Sequence, residues 1–176
     1  MPAGTETVSG VRRLARWRVP LGFVCSAAVL WLARPTVESL VLGGGVAALG
    51  EAFRVWAAGH LEKSREVTSS GPYRITRHPL YLGSTVMALG IAIAARHLAV
   101  WAIAVLYVVV MIGSAIRSEE AFLRGRFGGD YDAYRAGTLR DDGRRFSMER
   151  ALRNREWRAM LGLGIGFGLL AAKLLL

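Results

Sequence analysis

Five long apolar runs constrain this chain more than any other feature of its sequence. A bilayer core requires segments of about 17–25 apolar residues, and only helices or closed barrels satisfy their backbone hydrogen bonds within it. The sequence therefore predicts an all-α integral membrane bundle of about five transmembrane helices, forming a single domain over residues 1–176. The predicted spans are Val19–Ala33, Thr36–Gly59, Leu80–Ala95, Leu98–Ile116 and Met160–Leu176.

Positive charge alternates between the two sides of these spans. Arginines precede the first span, a second basic group lies between the second and third, and arginines recur from Arg117 to Arg155. The positive-inside rule then predicts a cytoplasmic N-terminus. The formal net charge of +10 follows from this topology and from anionic lipid headgroups, so no nucleic-acid partner is expected.

Cys25 is the single cysteine of the chain. An internal disulfide, a multi-cysteine zinc site and a cysteine-ligated iron–sulfur cluster are therefore excluded. The sequence also lacks a phosphate-binding loop, a dinucleotide fingerprint and a metal-binding histidine helix, and no metal site is expected. Cys25 is interpreted as a small packing residue.

The segment Gly71–Gly83 is polar, aromatic and basic between two apolar runs. Its prolines, Pro72 and Pro79, make a regular helix through its middle unfavourable. One unbroken helix from Leu80 to Ile116 would be about 55 Å long, far more than a bilayer core, so a tight hairpin at Arg96-His97 is expected. Both ends of that hairpin return to one membrane face.

The hairpin predicts a cluster of polar side chains on the cytoplasmic side, which consists of Tyr73, Arg77, His78, Tyr81, Arg117, Glu119 and Glu120. From the residues alone, this cluster is either one wall of a site for a small polar molecule or an ordinary interfacial group. Glu51 and Arg54 share a helix face, as a structural ion pair or as a pair that lines the site.

The C-terminal part of the chain has two features. Ser147–Arg158 is basic and amphipathic and is expected to lie at the cytoplasmic interface. The last span contains Gly162, Gly164, Gly166 and Gly168, whose spacing indicates helix packing, either within the chain or between copies in a homodimer.

Three motifs occur in order, with two spans between the first and the second. They are Gly71-Pro72-Tyr73 to Arg77-His78-Pro79-Leu80-Tyr81-Leu82-Gly83, then Arg117-Ser118-Glu119-Glu120-Ala121-Phe122-Leu123, then Phe127-Gly128-Gly129-Asp130-Tyr131-Asp132-Ala133-Tyr134. Together they resemble the isoprenylcysteine carboxyl methyltransferase family, which belongs to a wider group with the phospholipid N-methyltransferases. The core motifs cover residues 62–137, between an N-terminal two-helix segment, 19–59, and an interfacial helix with an extra span, 147–176.

The resemblance implies an S-adenosylmethionine-dependent membrane methyltransferase whose cofactor pocket opens on the cytosolic side. Its acceptor would be a lipophilic carboxylate, hydroxyl or amine reached from the bilayer, and its product would be S-adenosylhomocysteine. By position, the cofactor would be bound by Glu66, Val67, Thr68, Tyr73, Arg77, His78, Pro79, Leu80, Tyr81 and Glu119. Arg117 would orient the acceptor.

Glu120 or His78 would accept a proton from a hydroxyl or amine acceptor. Alternatively, His78 beside Pro79 only holds the turn by a hydrogen bond. Two other functions stay open for the chain: a non-catalytic lipid-binding or assembly protein with the same fold, and a membrane reductase that uses a nicotinamide cofactor.

Overall fold

The computed structural model describes residues 20–63, 65–141 and 143–175. In this part of the chain there are seven helices and no strand, which confirms the all-α fold class. The helices are α1 (Pro20–Leu32), α2 (Val37–Ala58), α3 (Pro79–Ala95), α4 (Leu98–Phe127), α5 (Gly129–Arg135), α6 (Met148–Arg153) and α7 (Trp157–Ala172). Short 3-10 turns cover Gly71–Arg74 and Lys173–Leu175.

Three of the five expected spans are long and apolar enough to cross a bilayer. These are α2 with 22 residues, α4 with 30, and α7 with its terminal turn, Trp157–Leu175, with 19. The helices α1 and α3 are apolar but shorter, at 10–17 residues. Val19 and the basic residues before it lie outside the described residues. The described residues therefore form a helical bundle with three candidate membrane spans, and the expected number of about five is not confirmed.

Helices α2 and α3 pack with their backbones in contact through glycines. A Cβ at Gly50 would lie 2.7 Å from the carbonyl oxygen of Gly83, and a Cβ at Gly90 would lie 2.5 Å from that of Gly43. Small residues allow this approach, because van der Waals contact drives helix association in lipid. This tight pair forms the frame against which the other helices pack.

The turn between α3 and α4 is the predicted tight hairpin. Arg96 ends α3 in the left-handed conformation, with φ of 49°, and the His97 side chain accepts a hydrogen bond from the Ala99 amide at 3.2 Å. This cap satisfies one of the free amides at the start of α4. Arg34 N–H donates to the Ala95 carbonyl at 2.8 Å, which joins the α1–α2 turn to the hairpin.

Helix α4 is continuous from the hairpin to Phe127, and it contains one turn of π-helix at Val108–Ile112. The three successive valines there are β-branched and have lower helix propensity than straight side chains. A π turn adds a residue to the helix and rotates everything after it, and such turns are frequent at functional sites.

The expected interfacial helix over Ser147–Arg158 is wrong in its length. The structure has a six-residue helix, α6, and the last span begins at Trp157 rather than at Met160. Two contacts explain the break between them. Asn154 Nδ2 donates to the carbonyls of Ala58 and Leu61, both at 2.9 Å, and Arg155 has a positive φ of 63°.

The glycines of α7 do not pack closely against the described part of the chain. A Cβ built at Gly162, Gly164, Gly166 or Gly168 would meet no described atom within 4 Å beyond the neighbouring residues and nearby backbone of α7 itself. The expectation of an internal packing face is therefore wrong for the described residues, and packing between copies stays a prediction.

Candidate functional site

A cavity of about 740 Å³ lies at the end of the bundle where α3 begins. Its walls come from the segment before α3, the start of α3, the middle and end of α4, and the segment before α7. The lining residues include Glu62, Lys63, Glu66, Val67, Thr68, Tyr73, Arg77, His78, Pro79, Leu80, Tyr81, Tyr107, Ser118, Glu119, Phe122, Tyr134, Asn154 and Glu156. The volume is typical of a site for a small molecule or cofactor.

The turn that carries Tyr73 is fixed from both sides. Gly71 has a positive φ of 56°, and a Cβ there would lie 2.7 Å from the ring of His60, so a glycine fits this position. Tyr134 donates its hydroxyl to the Tyr73 carbonyl at 2.8 Å, which joins α5 to the turn. Burial raises the pKa of the Tyr73 phenol, which therefore stays neutral and can donate a hydrogen bond in the cavity.

His78 lies between two carboxylates of α4. Its Nε2 is 3.1 Å from Glu120 Oε1, and its Nδ1 is 4.0 Å from Glu119 Oε2. Arg77 Nη1 lies 3.7 Å from the same oxygen, Glu120 Oε1. The His78 side chain is only 15% exposed, and Pro79 follows it as the first residue of α3. Glu120 therefore orients the imidazole by a direct hydrogen bond.

The segment 62–70, which forms one wall of the cavity, is tied down by the part of the chain before α7. Arg150 Nε donates to Glu62 Oε1 at 2.8 Å, Arg144 binds Glu66, and Ser69 donates to the Arg140 carbonyl at 3.0 Å. The hydrogen bond from Arg150 lowers the pKa of Glu62, with Arg153 at 3.1 Å as a further cation. The wall thus depends on residues far along the chain.

Arg54 lies at the inner end of the cavity. Its Nε donates to Glu156 at 2.6 Å, and its Nη1 donates to the Leu80 carbonyl at 3.2 Å and to the hydroxyl of Ser84. Glu51, one turn earlier, approaches it at 3.7 Å. The Glu51–Arg54 pair was expected to be either a structural ion pair or a pair that lines the site. Arg54 lines the cavity, whereas Glu51 does not.

The structure brings together every residue that the resemblance assigns to the cofactor. All of them, from Glu66 to Glu119, line this cavity. The two other predicted site residues do not line it. Glu120 contacts the lining residue His78, whereas Arg117 is exposed on α4.

Sequence reasoning missed several lining residues, namely Ser84, Tyr107, Asn154 and Glu156. Glu156 had one local signal, because it is an acidic residue four positions before the predicted span that begins at Met160. Its partner, however, is 102 residues away in the sequence, which no local pattern indicates.

The described part of the chain contains no group of three or more His, Cys, Asp or Glu residues that could hold a metal ion. The charged residues of the cavity include three cations, Arg54, Lys63 and Arg77, beside several carboxylates. Such a set can bind a zwitterionic molecule through both of its charges.

Comparison with known proteins identifies a family whose model matches this chain. The model of the phospholipid methyltransferase family matches residues 17–130. A cobalt-zinc-cadmium resistance protein, CzcN, from Cupriavidus metallidurans is 30% identical over 125 residues, which cover 65% of this chain and 56% of that protein. A nickel-cobalt-cadmium resistance protein, NccN, from Alcaligenes xylosoxydans xylosoxydans is 29% identical over 143 residues, which cover 76% of this chain and 65% of that protein.

The matched region thus spans between 56% and 65% of the length of these two relatives. No solved structure gives a significant match to the chain.

Proposed function

Because this chain belongs to the phospholipid methyltransferase family, we propose that it is a membrane methyltransferase that uses S-adenosylmethionine and methylates a lipophilic acceptor reached from the bilayer. The observation that carries the proposal is the cavity of about 740 Å³. It collects, from three separate segments of the chain, the residues that the resemblance assigns to the cofactor.

The chemistry of the lining suits S-adenosylmethionine. The rings of Tyr73, His78 and Tyr81 offer aromatic faces, which attract a cation such as a sulfonium. Glu119 can bind the ammonium group or a ribose hydroxyl, and Lys63 or Arg77 can bind the carboxylate. The residues present therefore fit both the charged and the aromatic parts of the cofactor.

When bound, S-adenosylmethionine supplies an electrophilic methyl group, and S-adenosylhomocysteine leaves once the acceptor has taken that group. The contribution of the protein is then alignment and exclusion of water, which can supply much of the acceleration. The fixed turn at Tyr73 and the tied segment 62–70 hold two walls of the cavity in place.

A proton acceptor is needed only for some acceptors. A carboxylate has no proton to lose, whereas a hydroxyl or amine must lose one. We propose His78 for this role, because Glu120 orients its ring and its other nitrogen lies on the side of Glu119. Glu120, which does not line the cavity, then acts by positioning His78.

We propose Arg54, rather than the exposed Arg117, as the arginine that orients the acceptor. Its guanidinium lines the cavity, and three of its contacts fix its direction. The isoprenylcysteine type of acceptor, the cytoplasmic location of the N-terminus and cofactor site, and a homodimer stay predictions.

The names of the two relatives refer to metal resistance. The described residues contain no cluster of three metal-ligating side chains that would favour direct metal binding. We therefore propose that any share of this chain in metal resistance would follow from methylation in the membrane.

The test is calorimetric binding of S-adenosylhomocysteine to the purified chain in detergent. Glu119→Gln and His78→Ala should each weaken binding by about tenfold or more, since each removes a charged or aromatic contact. Arg117→Ala is the matched control on α4 and should bind as wild type does, because its side chain is exposed away from the cavity.

Methyl transfer from radiolabelled S-adenosylmethionine into extracted membrane lipids then identifies the acceptor class. A folded wild-type chain that binds neither S-adenosylmethionine nor S-adenosylhomocysteine would refute the proposal and favour a non-catalytic lipid-binding protein. Binding of a reduced nicotinamide cofactor instead would favour a reductase.

A further inference from the structure

The segment 144–158, which leads into α7, is fixed to the end of α2. Ser147 N–H donates to the Gly59 carbonyl at 3.1 Å, and Asn154 Nδ2 donates to the Ala58 carbonyl at 2.9 Å. Both α2 and the helix that begins with α7 are candidate membrane spans, and one ends where the other begins. The segment between them therefore lies at the headgroup depth of one membrane face.

Three arginines of this segment hold the cavity wall. Arg144 binds Glu66 and Arg150 binds Glu62, and the two arginine side chains are 17% and 16% exposed. Arg153 also reaches Glu62, at 3.1 Å, with a half-exposed side chain. Each of the three has a carboxylate partner within the chain, so their charge is already compensated.

The other arginines of the segment lack such partners. Arg145, Arg155 and Arg158 are exposed, and none forms an ion pair with another of the described residues. The two carboxylates of the segment are Glu149, which is exposed, and Glu156, which is buried and paired with α2. The exposed side of the segment therefore carries an excess of positive charge, which attracts anions.

Apolar side chains are exposed on the same segment. Met148 and Leu152 lie four residues apart on α6 and share a helix face, and they are 56% and 53% exposed. Trp157 is 46% exposed at the start of α7, and the Arg158 guanidinium lies 5.4 Å from its ring centroid. Apolar groups beside arginines are typical of surfaces at headgroup depth, where the former reach the acyl chains and the latter meet phosphates.

The exposed arginines and apolar side chains of segment 144–158 form what we call the arginine surface. It consists of Arg145, Met148, Leu152, Arg155, Trp157 and Arg158. We propose that the arginine surface binds the headgroups of anionic phospholipids in the surrounding membrane. Arginine binds phosphate through two parallel hydrogen bonds, and each arginine near a membrane favours anionic lipid by about fivefold.

The apolar half of the arginine surface favours a lipid over a soluble anion. A free phosphate would be attracted by the arginines alone, whereas a phospholipid also covers Leu152 and Trp157 with its acyl chains. This lipid site does not depend on the proposed methyltransferase function. One segment would then bind lipid on its exposed side and hold the cavity wall on its buried side.

The test measures lipid selectivity beside Trp157. The full chain, with its other four tryptophans replaced by phenylalanine, is placed in vesicles of mixed phosphatidylglycerol and phosphatidylcholine at low ionic strength. In one series the phosphatidylglycerol carries bromine on its acyl chains, and in the other the phosphatidylcholine does. Bromine quenches the indole fluorescence, so the two series give the relative binding constant of the two lipids at this position.

The wild-type surface should prefer phosphatidylglycerol by more than about tenfold, since three arginines contribute, and high salt should reduce the preference. The triple variant Arg145→Gln/Arg155→Gln/Arg158→Gln should bind both lipids equally. Arg34→Gln, which removes an exposed arginine at the opposite end of α2, is the matched control and should keep the wild-type preference. Quenching in brominated phosphatidylcholine alone should be the same in every variant, because Trp157 keeps its depth.

Equal binding of the two lipids to wild type, or a preference that persists in the triple variant, would overturn the proposal. Absence of quenching by either lipid would also overturn it, since another molecule, such as a second copy of the chain, would then cover Trp157. Thermal unfolding in the same vesicles checks that the triple variant is folded. If it is not, the single variant Arg145→Gln decides, with an expected loss of preference of about fivefold.

Discussion

Removal of the Arg54 side chain should destabilise this protein far more than removal of its partner Glu156. In the Arg54→Met variant, Glu156 and Glu51, which are 6% exposed each, would be left buried without a cation. Leaving such a charge uncompensated costs about 3–5 kcal/mol. In the Glu156→Gln variant, Arg54 keeps the Leu80 carbonyl, Ser84 and Glu51, so the expected cost is about 1–2 kcal/mol.

These costs convert to a larger expected decrease in melting temperature for Arg54→Met than for Glu156→Gln. At about 2–4 °C per kcal/mol for a chain of this length, Arg54→Met should lower the Tm by about 6–20 °C and Glu156→Gln by about 2–8 °C. The assay is thermal unfolding in detergent, followed by tryptophan fluorescence. The decrease in Tm of the double variant should be smaller than the sum of the two single decreases, because the two residues are in contact.

A matched control is Arg65→Met. Arg65 also faces a glutamate three residues away, Glu62 at 3.9 Å, but its side chain is 78% exposed. Surface pairs contribute about 0–1 kcal/mol, so its Tm should change by less than about 4 °C. If Glu156→Gln lowered the Tm as much as Arg54→Met, or if Arg65→Met matched Arg54→Met, the assignment of Arg54 as the cation shared by Glu51 and Glu156 would be refuted.

Three further predictions follow from single contacts. Gly90→Val should lower the Tm by several degrees, because its side chain would meet the backbone of α2, and melting in detergent tests this. Burial raises the pKa of Tyr134 to about 12, above an unfolded value of about 10. The contribution of Tyr134 to the free energy of unfolding should therefore be complete below about pH 10 and lost between about pH 10 and 12. In urea unfolding across that range, the free energy of unfolding should fall more steeply in wild type than in Tyr134→Phe. Arg150→Gln should weaken S-adenosylhomocysteine binding by roughly tenfold in calorimetry, since Arg150 holds Glu62, whereas unchanged binding would show that this wall is not tied by Arg150.

The parts of the fold that the sequence predicted carry local signals. The two prolines around the Tyr73 turn, the polar pair Arg96-His97 and the apolar runs each act within a few residues, and the structure has an irregular segment, a hairpin and helices there. The end of α4 was harder to predict, because the helix continues to Phe127, well past the apolar run that ends at Ile116.

The placement of Arg117 outside the cavity could not be predicted from helical periodicity. Residues 111, 115, 118 and 122 of α4 line the cavity, as do 112, 119 and 123, and both sets follow helical spacing. Arg117 precedes Ser118 by one residue and is therefore rotated by about 100° from that face. The π turn at Val108–Ile112 sets this phase, and no motif in the sequence marks it.

The position of Arg54 and of α7 depends on contacts that no local pattern contains. Arg54 and Glu156 are 102 residues apart, and Lys173 reaches Ala33 across 140 residues. Each contact satisfies a group that would be costly to bury alone, either a charge or a carbonyl at a helix end. Because α7 is fixed by these two contacts and by few others, its glycines can leave space instead of filling it. The segment after residue 130, where the family match ends, is therefore where we expect differences in acceptor choice to arise, while the cavity that contains Tyr73 and His78 is built mainly from residues before it.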